Sequence, residues 1–191
     1  STINEQHLIP ALEEMLSAFP FVLRGFHSDN GSEYVNRQVA KLLEKLLVEF
    51  TKSRPRHSND NALAESKNGA IVRKVLGYSH IPQSYASDVN AFNQRYLNPY
   101  INYHRPCYFP KTIIDSKGKE RKKYYYEDIA TPYEKLKSLS EATNYLKPGV
   151  SFELLEQTAH AISDYEAAKQ LVNARAKLFE KIDEGLELLA A

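Results

Sequence analysis

Near the start of the chain, Leu8, Leu12, Leu16 and Phe19 recur at helical spacing within NEQHLIPALEEMLSAF, which predicts an amphipathic helix. A short apolar run, Phe21 to Phe26, follows and stops at His27-Ser28-Asp29; it reads as a strand. NRQVAKLLEKLLVEF returns to the helical period through Val39, Leu42, Leu43, Leu46 and Leu47, and Asn36 stands where an N-cap belongs. Its tail, VEFTKS, turns β-like. Arg54 to Ala62 is dense in Pro, Ser, Asn and Asp and lacks an apolar residue before Ala62, which makes it a loop. A third helix starts at Asp60 or Asn61 and meets a stop signal at Gly77. A fourth runs from Ser84 to about His104, and Pro99 must kink or divide it.

After Pro106 the pattern changes. Two short strands are expected around Ser116-Lys117-Gly118, beside the aromatic cluster Tyr124, Tyr125 and Tyr126. ATPYEKLKSL, SFELLEQTAHAI and a charged stretch from about Ser163 to Leu189 read as helices. Alternation of strands and helices argues an α/β fold. By composition the chain divides into residues 1–105, a small basic β unit at 106–130 and a helical region at 131–191. Neither an internal repeat nor a low-complexity tract interrupts it.

Composition fits this reading. Of 191 residues, 42% are hydrophobic and 26% charged, enough apolar material for a packed core. No apolar run approaches the roughly 20 residues that span a bilayer, and no basic and apolar leader opens the chain, so a cytoplasmic protein is expected. Cys107 is the single cysteine, which excludes an internal disulfide framework and a cysteine zinc cluster. Net charge is only +1, but the charge is unevenly spread. Residues 50–80 hold six Lys/Arg against two acids and residues 117–123 five against one, whereas residues 150–191 hold eight acids against four bases. A polyanion would meet the first two regions and avoid the last.

Asp29 follows directly on the apolar strand and precedes Asn30-Gly31. Taken alone, Asp-Asn-Gly is an ordinary turn. Glu65 changes the picture: it lies near the start of the third helix, with 65 − 29 − 1 = 35 residues between the two acids. An apolar strand ending in HSDNGSEY, an amphipathic helix, a polar loop RPRHSNDNALAE and a glutamate at that interval resemble the DDE-type catalytic core of retroviral integrases and bacterial insertion-sequence transposases. NDNALAESKNGAIVRK, with the downstream NYHRPC and TPYEKL, looks most like the bacterial transposases. The likeness covers about residues 5–105 and implies a partial ribonuclease-H-like fold.

The resemblance implies metal-dependent DNA cleavage and strand transfer, with Asp29 and Glu65 as catalytic residues that ligate two Mg2+ or Mn2+ ions. Residue chemistry agrees, because magnesium takes oxygen ligands and a pair of cations about 4 Å apart can stabilise both the attacking and the leaving oxygen. At 100° per residue, Asn61, Ala62, Asn68, Gly69 and Val72 fall within about 60° of Glu65, so Asn68 lies one turn on, a candidate to touch substrate or a metal-bound water. Basic residues after the catalytic glutamate imply phosphate contacts for Lys67, Arg73 and Lys74, and Arg54, Arg56 and His57 of the loop stand in similar positions. Lys119, Arg121, Lys122 and Lys123, beside the tyrosines, suit a second DNA contact. For each of these a solvated surface is the bland alternative. His27 reads as a satisfied strand-end histidine rather than a ligand, Asp60 as a cap or loop residue, and Glu44 as a helix-surface charge; Glu33 is a further acid near the motif.

The pattern departs from the family in one respect. Before Asp29 the only acids are Glu5, Glu13 and Glu14, all in the expected first helix, so nothing supplies the family's first aspartate. The expectation is a fragment lacking its first strands, with an open sheet edge, poor metal binding and no strand transfer on its own. The resemblance implies transposon-end and target DNA as partners and a second subunit in the intact assembly. Two alternatives stay open: a ribonuclease-H-like nuclease that cuts without joining, and a catalytically inactive nucleic-acid-binding or interaction remnant.

Overall fold

A computed structural model of the chain describes residues 5–28, 37–45, 48–52 and 68–190. The architecture is mixed α/β, mostly helical, with three two-stranded sheets among the described residues. By packing, the chain divides elsewhere than by composition. One compact unit is Ser1–Ser79 with Asn144–Val150, and the other is His80–Thr143 with Ser151–Ala191.

In the first unit, α1 (Glu5–Ala18) precedes β1 (Gly25–Ser28), α2 (Arg37–Lys45) and β2 (Glu49–Lys52). The two strands are parallel, with Gly25 opposite Glu49 and Ser28 opposite Lys52. Parallel neighbours need a crossover, and here it contains α2. Val39 and Leu43, four residues apart on α2, are wholly buried and pack with Leu12 and Val48; Leu23, Phe26, Leu42 and Phe50 close around them. Each fully buried Val or Leu contributes about 1.5–3 kcal/mol, so this small cluster holds strand and crossover together. The Phe26 and Phe50 rings, opposite in register, lie 6.0 Å apart.

The strand expected over Phe21–Phe26 begins later, at Gly25. Residues 20–22 instead engage a distant piece of chain: Val22 N–H donates to the Tyr145 carbonyl at 2.7 Å, Lys147 N–H to that of Pro20 at 3.1 Å, and Phe21 bridges Leu146. Lys147 Nζ also reaches the Leu16 carbonyl at 2.6 Å, at the end of α1. The third helix, α3, is described over Asn68–Arg73 and Lys74–Leu76 and stops at Gly77, whose φ of 78° suits a residue without a Cβ.

In the second unit a helical path, α4, runs over residues 83–104 and passes through Pro99. Pro99 keeps helical angles of −59° and −44°, and widened π-type turns flank it at Asn93–Leu97 and Tyr100–His104. Proline cannot donate to the carbonyl one turn back and its ring crowds that group; the wide turns accommodate this without ending the helix. β3 (Cys107–Tyr108), β4 (Lys111–Ile114), β5 (Glu120–Lys123) and β6 (Ile129–Ala130) follow. β3 pairs with β6 and β4 with β5, both antiparallel. The helices α5 (Pro132–Lys137), α6 (Phe152–Ala159) and α7 (Asp164–Ala190) complete the unit. α4 packs on α5 and α7, so the compositional boundary near 105–110 falls inside this unit. Along α7, Ala167, Leu171, Leu178 and Ile182 form the buried stripe, and Lys181 bonds Asp88 of α4 at 2.7 Å. Gly185 allows Tyr85 to approach: a Cβ there would lie 1.8 Å from the phenol oxygen.

Thr131 and Glu134 form a capping box at the start of α5. One turn further, Tyr133 and Lys137 both donate to Glu156 Oε2 on α6 at 2.5 Å, and His160 Nε2 lies 2.9 Å from Oε1. The Lys137 bond, then the Tyr133 and His160 bonds, pull the Glu156 carboxyl down from 4.5 to about 2. A carboxyl depressed on folding contributes stability that is complete above its unfolded value and is lost as pH falls towards the folded one. The melting midpoint should therefore fall between about pH 4.5 and pH 2, and Glu156→Gln should show a shallower fall there in circular-dichroism melts. An identical pH profile for the two proteins would remove Glu156 as the cause.

Candidate functional site

Because β1 and β2 are parallel, Ser28 and Lys52 place their C-terminal ends side by side. In open α/β sheets that edge carries the site. Ser28, the last residue of β1, is buried at 5% exposure, whereas Gly25 and His27 of the same strand are exposed. Asp29, the next residue, and Glu65 lie outside the described residues, as do Glu33, Arg54, Arg56, His57, Asp60 and Lys67. Next to the edge, His27 Nδ1 is 2.9 Å from Thr51 Oγ1, its partner in register, which gives the satisfied strand-end histidine expected. Glu44 is exposed on α2. Among the described residues, no group of three or more His, Cys, Asp or Glu is arranged to hold a metal ion. Asp29 and Glu65 both carry oxygen ligands of the kind magnesium prefers.

Beyond Glu65, the described part of the helix opens at Asn68, and nothing lies within 4 Å of a Cβ added at Gly69. Arg73 and Lys74 are exposed. The Arg73 guanidinium sits 5.5 Å over the ring of Tyr78, which is itself 84% exposed. A cation stacked on a bare aromatic ring suits a phosphate with an adjacent base.

The basic β unit is a two-stranded ribbon, β4–β5, and all eight of its strand residues are exposed. Two strands alone are marginal in water, so the turn chemistry matters. Asp115 accepts from the Lys117 and Lys119 amides at 2.9 and 3.0 Å and from Arg121 Nε at 2.8 Å, while Gly118 takes a φ of 73°. The Arg121 bond first, then the two amides, hold the Asp115 carboxyl below its ordinary value. Residues alternate between the two faces. One face carries Lys111, Lys123 and Arg121 with Tyr125, whose ring lies 5.5 Å from Lys111 Nζ and 4.8 Å from Lys123 Nζ. The other carries Thr112, Lys122, Ile114 and Tyr124, with Tyr108 edge-on to Tyr124 at 6.2 Å.

Charge sorts the basic residues further. Lys111 is tied to Asp128 at 2.6 Å, a bond that raises its pKa, and Arg121 is tied to Asp115. Lys119, Lys122 and Lys123 have no ion-pair partner among the described residues. Residues 111–126 hold six Lys/Arg and two acids, a net of 6 − 2 = +4. The ribbon is thus bare, basic and flanked by tyrosines.

A cleft of about 570 Å3 in the second unit gathers Tyr133, Lys137, Glu156 and His160, a cluster that the sequence did not disclose. Its signal is present in hindsight, since Tyr133/Lys137 and Glu156/His160 each stand four apart on a helix. These groups bond one another, so the cluster fastens α5 to α6. The first unit has an apolar cleft of about 360 Å3 bordered by Leu16, Phe21, Val22, Leu23, Leu42 and Val48.

No family model matches the chain. It is 42% identical over 74 residues to the uncharacterized protein y4rM of Sinorhizobium fredii, an alignment covering 39% of this chain and 21% of that protein. The chain thus matches about a fifth of that relative's length. No described helix is long and apolar enough to cross a membrane.

If the ribbon grips phosphates, Lys119→Gln, Lys122→Gln and Lys123→Gln should each weaken binding to a short DNA duplex. Each should also reduce the slope of log affinity against log salt by about 1, measured by fluorescence anisotropy. Unchanged slopes in all three would exclude the ribbon as a phosphate contact.

Proposed function

We propose that the chain carries part of a DDE-type transposase or integrase catalytic core, of the ribonuclease-H-like kind, acting on transposon-end and target DNA in the bacterial cytoplasm. The observation that carries this reading is the parallel β1–α2–β2 arrangement, which ends β1 at the residue before Asp29. With it goes the 35-residue interval, 65 − 29 − 1, to Glu65, which stands three residues before the helix described from Asn68 onward. Asp29 and Glu65 are the residues of this chain that would hold Mg2+ or Mn2+, and two such ions would supply charge for phosphodiester cleavage and joining. Arg73, Lys74 and the free lysines of the ribbon bind and orient the DNA backbone, which fixes register without reading sequence.

A second reading, DNA binding without catalysis, is favoured by one observation: the ribbon's basic and aromatic chemistry is complete in itself and uses neither carboxylate. The two readings separate in a strand-transfer assay on the full gene product that contains this chain, with duplex ends and Mn2+. A transposase should give joined product, lost to background in Asp29→Asn and in Glu65→Gln while duplex binding stays within a few-fold. Cut but unjoined ends would favour the nuclease. Binding with neither product would favour the inactive DNA-binding reading, and strand transfer undiminished in both variants would contradict the assignment of the two acids.

A further inference from the structure

The 27-residue helix α7 presents two apolar faces. One is the buried stripe through Ala167, Leu171, Leu178 and Ile182. The other is Tyr165, Val172, Phe179 and Leu186, which recur every seventh residue. Tyr165 is 77% exposed, Val172 63% and Leu186 40%, while Phe179 is half-buried with the Arg175 guanidinium 4.8 Å over its ring. At 100° per residue these four fall within an arc of about 60°, centred roughly 100° from the buried stripe. A sustained seven-residue apolar repeat on an exposed helix face has the period of a helix-pairing seam.

The polar residues beside the seam choose the partner and its direction. Ala176, small and exposed, stands at the centre. Lys169 and Asp183 lie seven residues to either side of it; both are exposed, and among the described residues neither has an ion-pair partner. Two copies laid antiparallel about Ala176 bring Tyr165 within one residue of Leu186, Val172 within one residue of Phe179, and Lys169 opposite Asp183 twice. Laid parallel, the same helices would set Lys169 against Lys169 and Asp183 against Asp183. The small central residue also lets the two backbones approach closely.

We infer that the outer face of α7 is a self-association surface whose occupant is a second copy of this chain, paired antiparallel about Ala176. The seam is about 32 Å long at 1.5 Å per residue. To reach the roughly 1,000 Å2 typical of a specific interface, each copy must bury about 500 Å2, an area of the order that four large apolar side chains and two flanking charges provide. The inference makes specific the second subunit that the transposase reading expects. It rests on no metal or DNA chemistry, so the two can fail separately.

The test uses the whole chain with Cys107→Ser. Sedimentation should show a concentration-dependent dimer, with no DNA or metal present. Lys169→Glu and Asp183→Lys should each weaken it by about tenfold, and the double variant, which swaps the charges, should restore it. Ala176→Cys should oxidise to a covalent dimer, because the two copies of that residue meet at the axis. Leu186→Cys should not, because its two copies lie about 30 Å apart along the pair. The substituted positions on α7 are all exposed, so these changes should leave the helical circular dichroism of the Cys107→Ser chain unchanged. A monomer at every soluble concentration, a charge swap that fails to restore association, or Leu186→Cys linking as readily as Ala176→Cys would each overturn the proposal.

Discussion

The parallel pairing of β1 with β2 is the constraint on which the first unit depends. Parallel strands cannot be joined by a tight turn, so the chain must leave the sheet and return, and α2 within that crossover covers the sheet with Val39 and Leu43. A slip of β1 by one residue against β2 would turn Phe26 away from this cover and bring His27 under it. Burial of a few apolar side chains therefore sets the direction in which β1 runs and ends, at Ser28. The chemistry proposed for the chain is a consequence of that direction, since a carboxylate at a rigid strand end can be pre-positioned for a cation in a way that one on a free loop cannot.

What was legible in the sequence was what depends on local pattern. The i, i+4 spacing of Val39 and Leu43 marks α2, Gly77 marks the end of α3, and Ser116-Lys117-Gly118 between apolar and basic runs marks the ribbon, because each signal lies within the element that it specifies. Pairings between distant segments left no such trace. Tyr145–Lys147 joins Pro20–Val22 across more than a hundred residues, and the two-residue strands β3 and β6 are too short to show a period. Pro99 looked like a break because proline rules describe regular helices, whereas π-type turns on both sides absorb the missing donor. The Glu156 cluster was hidden for a similar reason: each half is an ordinary helix surface pair, and only α5 against α6 joins them. Of the candidate site, the strand leading to Asp29 and the basic ribbon are described; the stretches bearing Asp29 and Glu65 are not among the described residues.

Two kinds of electrostatics operate in the chain. In the Glu156 cluster a carboxylate collects three donors and loses its availability to outside ligands. At the ribbon, Asp115 and Asp128 neutralise Arg121 and Lys111, leaving Lys119, Lys122 and Lys123 without an ion-pair partner among the described residues. The first arrangement serves folding and the second leaves charge in search of a partner. That division is why a cleft rich in titratable groups is read as structural and an open ribbon as an interface.

The central claim is spatial: the side chains of Asp29 and Glu65 converge. Pulsed electron resonance between nitroxide labels at Asp29→Cys and Glu65→Cys, in the Cys107→Ser chain, measures that separation directly. The account expects a distribution confined to roughly 20 Å or less, the span left by two carboxylates sharing cations about 4 Å apart once the label arms are added. A distribution centred beyond roughly 30 Å, the diameter of a small domain, would contradict it.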